Sequence, residues 1–198
     1  LSVSSESAAE TIHRIESLIR RDPGRRGLIG ADGDGPGIGE LFPAARQLAD
    51  TTGNVCLLTG FFIPDDNSPH GGNAETDGPP GTALLACVLR DIGLNPRIVT
   101  DDRCAGVVRA AAQASGFSPD GVLDCPTDTT DWRREFLASD FGQDLSQVIA
   151  IERVGPGHTV ASVQAASPAD AQRFEALVSS HEQGRCRNMR GEVIDQFT

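Results

Sequence analysis

The sequence predicts an α/β protein with a mostly parallel sheet and helices on both faces, a Rossmann-like three-layer sandwich. The run NVCLLTGFFI, which begins at Asn54, is apolar and rich in β-branched and aromatic residues, as in a strand covered on both faces. After it, apolar strand-like runs alternate with helical patterns, which favours parallel strands joined by helices. Most polar candidates for a site stand at or just after the ends of these runs, where parallel sheets bind ligands.

Two helices are predicted before that strand. From about Ala8 to Arg20, apolar residues recur at helical spacing with charged residues between them, and the helix stops at DPGRRG. A second helix follows the glycine-rich GADGDGPGIG and runs through FPAARQLAD, with Pro43 in its first turn.

Helices and strands alternate after the turn-rich segment PDDNSPHGGNAETDGPPG. In order, the sequence predicts a helix from about Thr82, a strand at PRIVTDD, a helix at RCAGVVRAAAQAS, a strand at GVLDC, a helix near DWRREFLAS and a strand at VIAIERV. The last predicted helix, SPADAQRFEALVSS, opens with Ser167, Pro168 and Asp170, close to a capping box with proline at the first helical position. We expect one α/β domain over residues 1–198.

The composition excludes several classes of function. The net charge is −11 and all 17 basic residues are arginine, so no lysine Schiff base can form. An acidic chain with one Trp, no Tyr and no basic cluster is poorly suited to nucleic acid. Because no apolar run reaches membrane-spanning length and the N-terminus lacks the pattern of a signal peptide, we expect a soluble, cytoplasmic, bacterial protein without a membrane partner. The five cysteines lie mostly in apolar runs without CxxC spacing, which favours buried thiols over disulfides or a zinc site.

The stretch ETDGPPG is the first candidate for a site. Its two prolines can begin a helix whose free backbone N–H groups attract anions. Asp77 or Thr76 alone would suffice as an ordinary helix cap, which contributes about 1 kcal/mol. Since Glu75, Thr76 and Asp77 together exceed what a cap needs, we expect Glu75 and Asp77 to be catalytic and Thr76 and Gly78 to contact substrate.

Three further clusters follow later strands. Asp101, in TDD, would face the same crevice, although an aspartate after a strand is also an ordinary helix cap. Glu152 and Arg153 end an apolar strand; neighbouring strand residues point to opposite faces, so at most one enters a given pocket unless the strand ends there, and an internal ion pair is the alternative. Near the C-terminus, Asn188 and Arg190 stand in a polar segment. Arg190 suits bidentate binding of a substrate carboxylate, against the alternative of a solvated surface arginine.

Two other features were weighed. The segment GADGDGPGIG lacks the preceding strand of a dinucleotide fingerprint, and a chain without lysine has no Walker-type phosphate loop. We interpret it as an acidic loop whose Asp32 or Asp34 is available to a cation. His158 is the only histidine beside a candidate cluster, and its role as a general base competes with the more frequent structural histidine.

Six stretches in one order carry a family resemblance: RRDPGRRGL, LTGFFIP, AETDGPPG, VTDD, AIERVGPGHT and NMRGEVID. Together they resemble the D-glutamate cyclase family, known in bacteria and in vertebrate mitochondria, over about Arg20 to Asp195. The resemblance implies an α/β domain that closes the α-amine of D-glutamate onto its γ-carboxyl, releasing water and 5-oxo-D-proline, aided by a divalent cation such as manganese. The family pattern continues to a glycine-rich acidic segment resembling GDGGNE, which does not follow before Thr198, so we expect a domain without that part.

The residues fit the chemistry that the resemblance implies. Cyclisation needs a base for the α-ammonium, a group that polarises the γ-carboxylate and a clamp for the α-carboxylate. The expected catalytic set is Glu75, Asp77, Asp101 and Glu152, and the expected substrate contacts are Thr76, Gly78, Arg153, Asn188 and Arg190.

A metal and an alternative function complete the expectations. Asp77, Asp101 and Glu152 are the expected ligands of Mn²⁺ or Mg²⁺, because three carboxylates at one sheet edge repel one another unless a cation, the ion or an arginine, lies among them. No organic cofactor is expected, and a homo-oligomer is compatible with the sequence. The alternative function is a non-catalytic domain that senses a small carboxylate or nucleotide.

Overall fold

The computed structural model describes residues 5–23, 29, 37–126, 130–188 and 191–197. Its contacts divide the chain into two compact units, Leu1–Thr51 and Thr52–Thr198. The expected single domain over residues 1–198 stays a prediction.

The first unit holds two helices, α1 (Ser5–Ile19) and α2 (Leu41–Ala49). Both match the predicted positions to within a few residues. The buried side chain of Glu16, on α1, accepts hydrogen bonds from the backbone of Gly39 at 2.9 Å and of Leu41 at 3.4 Å. Glu16 thus satisfies free N–H groups at the start of α2, which Glu40, the residue before that helix, does not.

The second unit holds six strands and six helices in its described residues. In chain order they are β1 (Asn54–Gly60), β2 (Phe62–Pro64), β3 (Gly72–Ala74), α3 (Gly78–Asp91), β4 (Asn95–Asp101), α4 (Ala105–Ser115), β5 (Val122–Cys125), α5 (Thr130–Ala138), α6 (Asp140–Gln143), β6 (Leu145–Arg153), α7 (Val160–Ala166) and α8 (Pro168–Leu177). Four strands form one sheet in the order β5-β4-β1-β6, and every neighbouring pair is parallel. The predicted α/β architecture, a parallel sheet between helices, is therefore confirmed.

The hydrophobic core lies between the sheet and helices α3 and α4. Val55 and Leu57 on β1 are fully buried, and so are Ala83 and Ala86 on α3. Small residues on α3 let the helix pack closely on the sheet, and this fixes the start of α3 against the ends of the strands.

Two predicted elements differ in detail. The run NVCLLTGFFI is two strands, because Gly60 adopts φ +111° and the chain turns after it into the antiparallel pair β2–β3. The structure also has an unpredicted helix, α7, whose N-cap Thr159 exchanges hydrogen bonds with Ser162. Ser167 does not cap α8 as predicted, since its hydroxyl donates instead to the Asp170 carboxylate at 2.6 Å.

The C-terminal segment lies along the loop that follows β6. Gly157 N–H donates to the Arg185 carbonyl at 2.9 Å, and Gly184 N–H donates to the His158 carbonyl at 3.1 Å. Ile194 is 1% exposed and anchors this segment. No helix in the described residues is long and apolar enough to cross a membrane.

Candidate active site

The candidate site lies at the carboxyl edge of the parallel sheet. Strands β1, β4 and β6 end there, at Gly60, Asp101 and Arg153, and helix α3 begins beside them at Gly78. Parallel strands present their carboxyl ends at one edge, and ligands of such sheets bind there. This topology brings together residues that are far apart in sequence.

Three carboxylates meet at this edge: Glu75, Asp77 and Glu152, hereafter the acidic cluster. One oxygen from each lies within 4.8 Å of the others. Glu75 is half-buried, and the other two are exposed. Burial, and then the negative charges of Asp77 and Glu152, raise the pKa of Glu75 above its ordinary value. The cluster is therefore a region of concentrated negative charge.

Asp77 also serves as the N-cap of α3. Its Oδ1 accepts from Gly78 N–H at 3.2 Å, one residue on, whereas a standard cap accepts from the second or third helical residue. Asp77 can therefore be both a helix cap and the predicted catalytic residue, since the cap does not use its second carboxylate oxygen. Thr76, the alternative cap, is exposed, and no cap hydrogen bond to it is seen.

A β-bulge at the end of β6 aims Glu152 at the cluster. Leu58 pairs with Ala150 and Gly60 pairs with Arg153, so β6 carries one residue more than β1 over this interval. Glu152 has φ +46°, the only positive φ of a non-glycine residue in the described part of the chain. Bulges re-aim side chains and are frequent next to active sites. This bulge places Glu152 in the acidic cluster and leaves Arg153 to pair with Asp101.

Gly78 leaves the space that Glu152 needs. A Cβ at position 78 would lie 2.5 Å from the Glu152 Cβ and 3.1 Å from the Thr59 hydroxyl oxygen. Any larger residue would push Glu152 away from Glu75 and Asp77. Position 78 was predicted to contact substrate; the structure gives it this packing role, and the substrate contact stays a prediction.

Arg153 binds Asp101 rather than Glu152. Its Nη2 donates to Asp101 Oδ1 at 2.7 Å, and its Nη1 donates both to Asp101 Oδ2 and, at 3.1 Å, to the Gly60 carbonyl at the end of β1. Burial alone would lower the pKa of Arg153, but the hydrogen bonds and charge of Asp101 outweigh it and raise that pKa. Asp101 is 4% exposed and tied up in this ion pair.

The structure brings two of the three expected metal ligands together, and metal binding itself stays a prediction. Asp77 and Glu152 come together as predicted, but Asp101 does not join them, because its carboxylate is held by Arg153 on the far side of β1. Glu75 takes its place as the third carboxylate. Glu75 was predicted only as a catalytic residue, and its spacing of two from Asp77 was the available signal.

The remaining expected site residues lie elsewhere. The Asn188 amide donates to the Glu192 carboxylate at 2.6 Å, and its oxygen accepts from Glu192 N–H at 3.0 Å, so Asn188 shapes a local turn. His158 is exposed, with its Nδ1 3.2 Å from the Ser162 hydroxyl. Arg190 lies outside the described residues, as do Asp32 and Asp34.

All five cysteines are free thiols, but the predicted burial holds only for Cys56 and Cys104; the other three, Cys87, Cys125 and Cys186, are half-buried. Cys56 and Cys104 are fully buried, and burial raises the pKa of each to about 11. They are therefore protonated at neutral pH and do not supply a thiolate nucleophile or metal ligand.

The acidic cluster fits a hard divalent cation. It offers only oxygen ligands, which suit Mg²⁺ or Mn²⁺, and its like charges favour a cation among them. The Thr59 hydroxyl, on the buried side of Gly78, has no hydrogen-bond partner among the described residues. Sequence reasoning missed Thr59, since a threonine near a strand end carries no specific signal.

Parallel α/β sheets bind small molecules at their carboxyl edge, which makes the acidic cluster a candidate ligand site. The family described as D-glutamate cyclase-like, C-terminal, matches residues 15–198, and the chain belongs to that family. The mitochondrial D-glutamate cyclase of Homo sapiens is 34% identical over 105 residues. That match covers 52% of this chain and 15% of the human protein.

Proposed function

We propose that this protein is a D-glutamate cyclase-like lyase, which converts D-glutamate, or a similar small acidic amino acid, to 5-oxo-D-proline and water. The observation that carries the proposal is the acidic cluster at the carboxyl edge of the sheet, in a chain of this family. In the reaction the α-nitrogen forms a bond to the carbon of the γ-carboxyl group, and one carbon–oxygen bond of that group breaks. Two protons leave the ammonium and depart with that oxygen as water.

The first step needs a base for the ammonium protons. Glu75 is the half-buried member of the acidic cluster, set back from solvent, and its carboxylate lies beside both Asp77 and Glu152. A base in this position stays oriented towards a substrate bound over the cluster. We assign Glu75 this role.

Asp77 and Glu152 would hold Mn²⁺ or Mg²⁺, since one or two direct carboxylates suffice for such an ion, and Glu75 is left to act as the base. When bound, the ion supplies Lewis-acid polarisation of the γ-carboxylate. The chain itself holds the carboxylates at the required spacing through the cap of α3 and the bulge of β6.

Arg153 is suited to orient substrate by hydrogen bonds rather than by net charge. Asp101 neutralises its charge, and Asp101 and Gly60 occupy three of its five N–H groups. The Arg153 side chain is 21% exposed, and its remaining N–H groups are proposed to bind a substrate carboxylate. Arg190 stays a predicted second clamp.

The test is incubation of the protein with D-glutamate and Mn²⁺, with 5-oxoproline as the measured product and L-glutamate as the control substrate. Asp77→Asn should abolish turnover with a nearly unchanged melting temperature, because a carboxamide can still cap α3. Asp66→Asn, an exposed residue in the loop between β2 and β3, is the matched control and should retain full activity.

If Asp77→Asn retains activity, the assignment of Asp77 to the catalytic site is wrong. If D-glutamate raises the melting temperature but yields no product, the protein is a binding domain for small carboxylates and not a lyase.

A further inference from the structure

A cavity lies on the opposite face of the sheet from α3. Thr59 faces Gly78 of α3, and Val55 and Leu57 share its face because strand side chains alternate. Cys56 and Leu58 therefore face the other way, where they line a cavity of about 500 Å³. Volumes of about 300–1,000 Å³ are typical of small-molecule sites.

The walls of this cavity are mainly apolar. Its floor is the sheet, with Leu58, Val99 and Val148 from three strands, and one side is helix α5. On α5, the rings of Trp132 and Phe136 stack on each other at 5.1 Å with an interplanar angle of 7°, and both residues line the cavity. Val148 is 57% exposed, so the cavity is open to solvent on the β6 side.

Among the described residues, the charged groups that line the cavity are both arginines, Arg133 and Arg153, and no described carboxylate lines it. The net charge of the chain is −11, so the sign of these lining charges is opposite to that of the protein as a whole. Arg153 is neutralised by Asp101, whereas Arg133 has no ion-pair partner among the described residues. Its neighbour Arg134 lies outside this cavity and binds Asp131 at 2.7 Å.

The thiols in the lining add no negative charge at neutral pH. Burial raises the pKa of Cys56 to about 11, and burial and the charge of Asp101 raise the pKa of Cys125 above its ordinary value. The described part of the cavity thus combines apolar walls, an aromatic side and the positive charge of Arg133, which no described carboxylate compensates.

We propose that this cavity binds a small monocarboxylate with an apolar body, of the arylalkyl or fatty acid class. The apolar body packs between the sheet and the rings of Trp132 and Phe136, and the carboxylate bonds to the Arg133 guanidinium. D-Glutamate has two carboxylates and no apolar body, so it does not suit these walls. The cavity shares Arg153 with the site proposed for the cyclase reaction, but its described lining includes none of the three carboxylates of the acidic cluster. The existence of the cavity does not depend on the proposed cyclase activity.

Trp132 provides a direct measurement. It is the only tryptophan, and the chain has no tyrosine, so the intrinsic fluorescence reports on this cavity alone. Titration with phenylbutyrate should change the emission saturably, and phenylbutanol, the neutral analogue with the same apolar body, should bind about tenfold more weakly. The difference is that expected for one charge-assisted hydrogen bond.

Two pairs of variants locate the ligand. Arg133→Gln should weaken phenylbutyrate binding about tenfold without changing phenylbutanol binding, whereas Arg134→Gln, on the same helix, should leave both unchanged. Val148→Glu places a carboxylate at the exposed edge of the cavity and should weaken phenylbutyrate more than Val148→Gln, which adds the same bulk without charge. Unaltered melting temperatures would show that the variants are folded.

Three results would each overturn the proposal. One is the absence of a saturable fluorescence change with phenylbutyrate. Another is equal affinity for phenylbutyrate and phenylbutanol, which would show an apolar surface without anion recognition. The third is an effect of Arg134→Gln as large as that of Arg133→Gln, which would show general attraction to the basic face of α5.

Discussion

Replacing Glu152 with glycine should stabilise the fold and abolish the proposed activity. Glu152 holds φ +46°, a left-handed conformation that costs a residue with a side chain roughly 1–2 kcal/mol. Glycine adopts it without strain but loses more backbone freedom on folding, about 0.4–1 kcal/mol. The substitution also removes one of three neighbouring negative charges and little buried surface, since Glu152 is exposed.

The net expectation is a gain of about 1 kcal/mol in the free energy of unfolding, or a melting temperature higher by roughly 2–4 °C for a protein of this size. It is measured by urea unfolding and thermal unfolding of metal-stripped protein, so that a bound ion does not contribute to the stability of the parent. The same preparations are assayed for 5-oxoproline formation, which should be lost.

Glu152→Ala is the matched control, because it removes the same carboxylate but keeps a Cβ in the left-handed conformation. The glycine variant should therefore be more stable than the alanine variant, the reverse of the order in a regular strand. If the alanine variant is equally stable or more stable, Glu152 is not held under backbone strain, and the argument from the bulge fails.

Further predictions concern the neighbours of Glu152. Gly78→Ala should cost about 1–3 kcal/mol, because its Cβ would lie 2.5 Å from the Glu152 Cβ, and unfolding measurements should show a much smaller cost in a Glu152→Gly background. Asp101→Ala should cost about 3 kcal/mol because it leaves the Arg153 guanidinium largely buried and unpaired, and the double variant with Arg153→Met should recover most of that stability. The pKa of Glu75 is raised in the folded state, so its contribution favours the folded protein below the ordinary glutamate value of 4.5 and is lost as pH rises through the folded value. Urea unfolding of metal-stripped protein should therefore show stability falling over that pH interval relative to Glu75→Gln, and identical pH profiles would contradict the shift. Mn²⁺ added to metal-stripped protein should raise the melting temperature in the parent and not in Glu152→Gly, whereas full activity in chelator would eliminate the metal.

Much of the fold could be predicted from the sequence because periodicity reports on it directly. Buried parallel strands such as β1 are continuous apolar runs, and the helices between them repeat at helical spacing. The elements whose prediction was incomplete depend instead on a single residue or on a short segment. Gly60 sits inside an apolar run, and only its positive φ separates β1 from β2. Helix α7 is seven residues long, and its capping residue Ser162 stands where the usual signal is Glu or Gln.

The candidate site was predictable to the extent that topology determines it. Because parallel strands end at one edge, residues just beyond β1 and β6 were expected to meet, and Glu75, Asp77 and Glu152 do. Topology does not determine which partner each charged side chain takes at that edge. Arg153 reaches past the end of β1 to Asp101, and this pairing holds the Asp101 carboxylate apart from the acidic cluster.

The bulge at Glu152 explains both why the site could not be fully predicted and why it merits experiment. With regular pairing, Glu152 and Arg153 would point to opposite faces, and one of them would leave the edge. The extra residue on β6 keeps both there, one in the acidic cluster and one in the ion pair. A bulge with positive φ is easily formed by glycine, and glycine would have been the signal in the sequence. The chain instead has glutamate at this position, with a strained backbone and a like-charged neighbourhood. Local conflicts of this kind concentrate where function requires a particular side chain, so the carboxylate of Glu152, rather than the geometry of the strand, is what this position supplies.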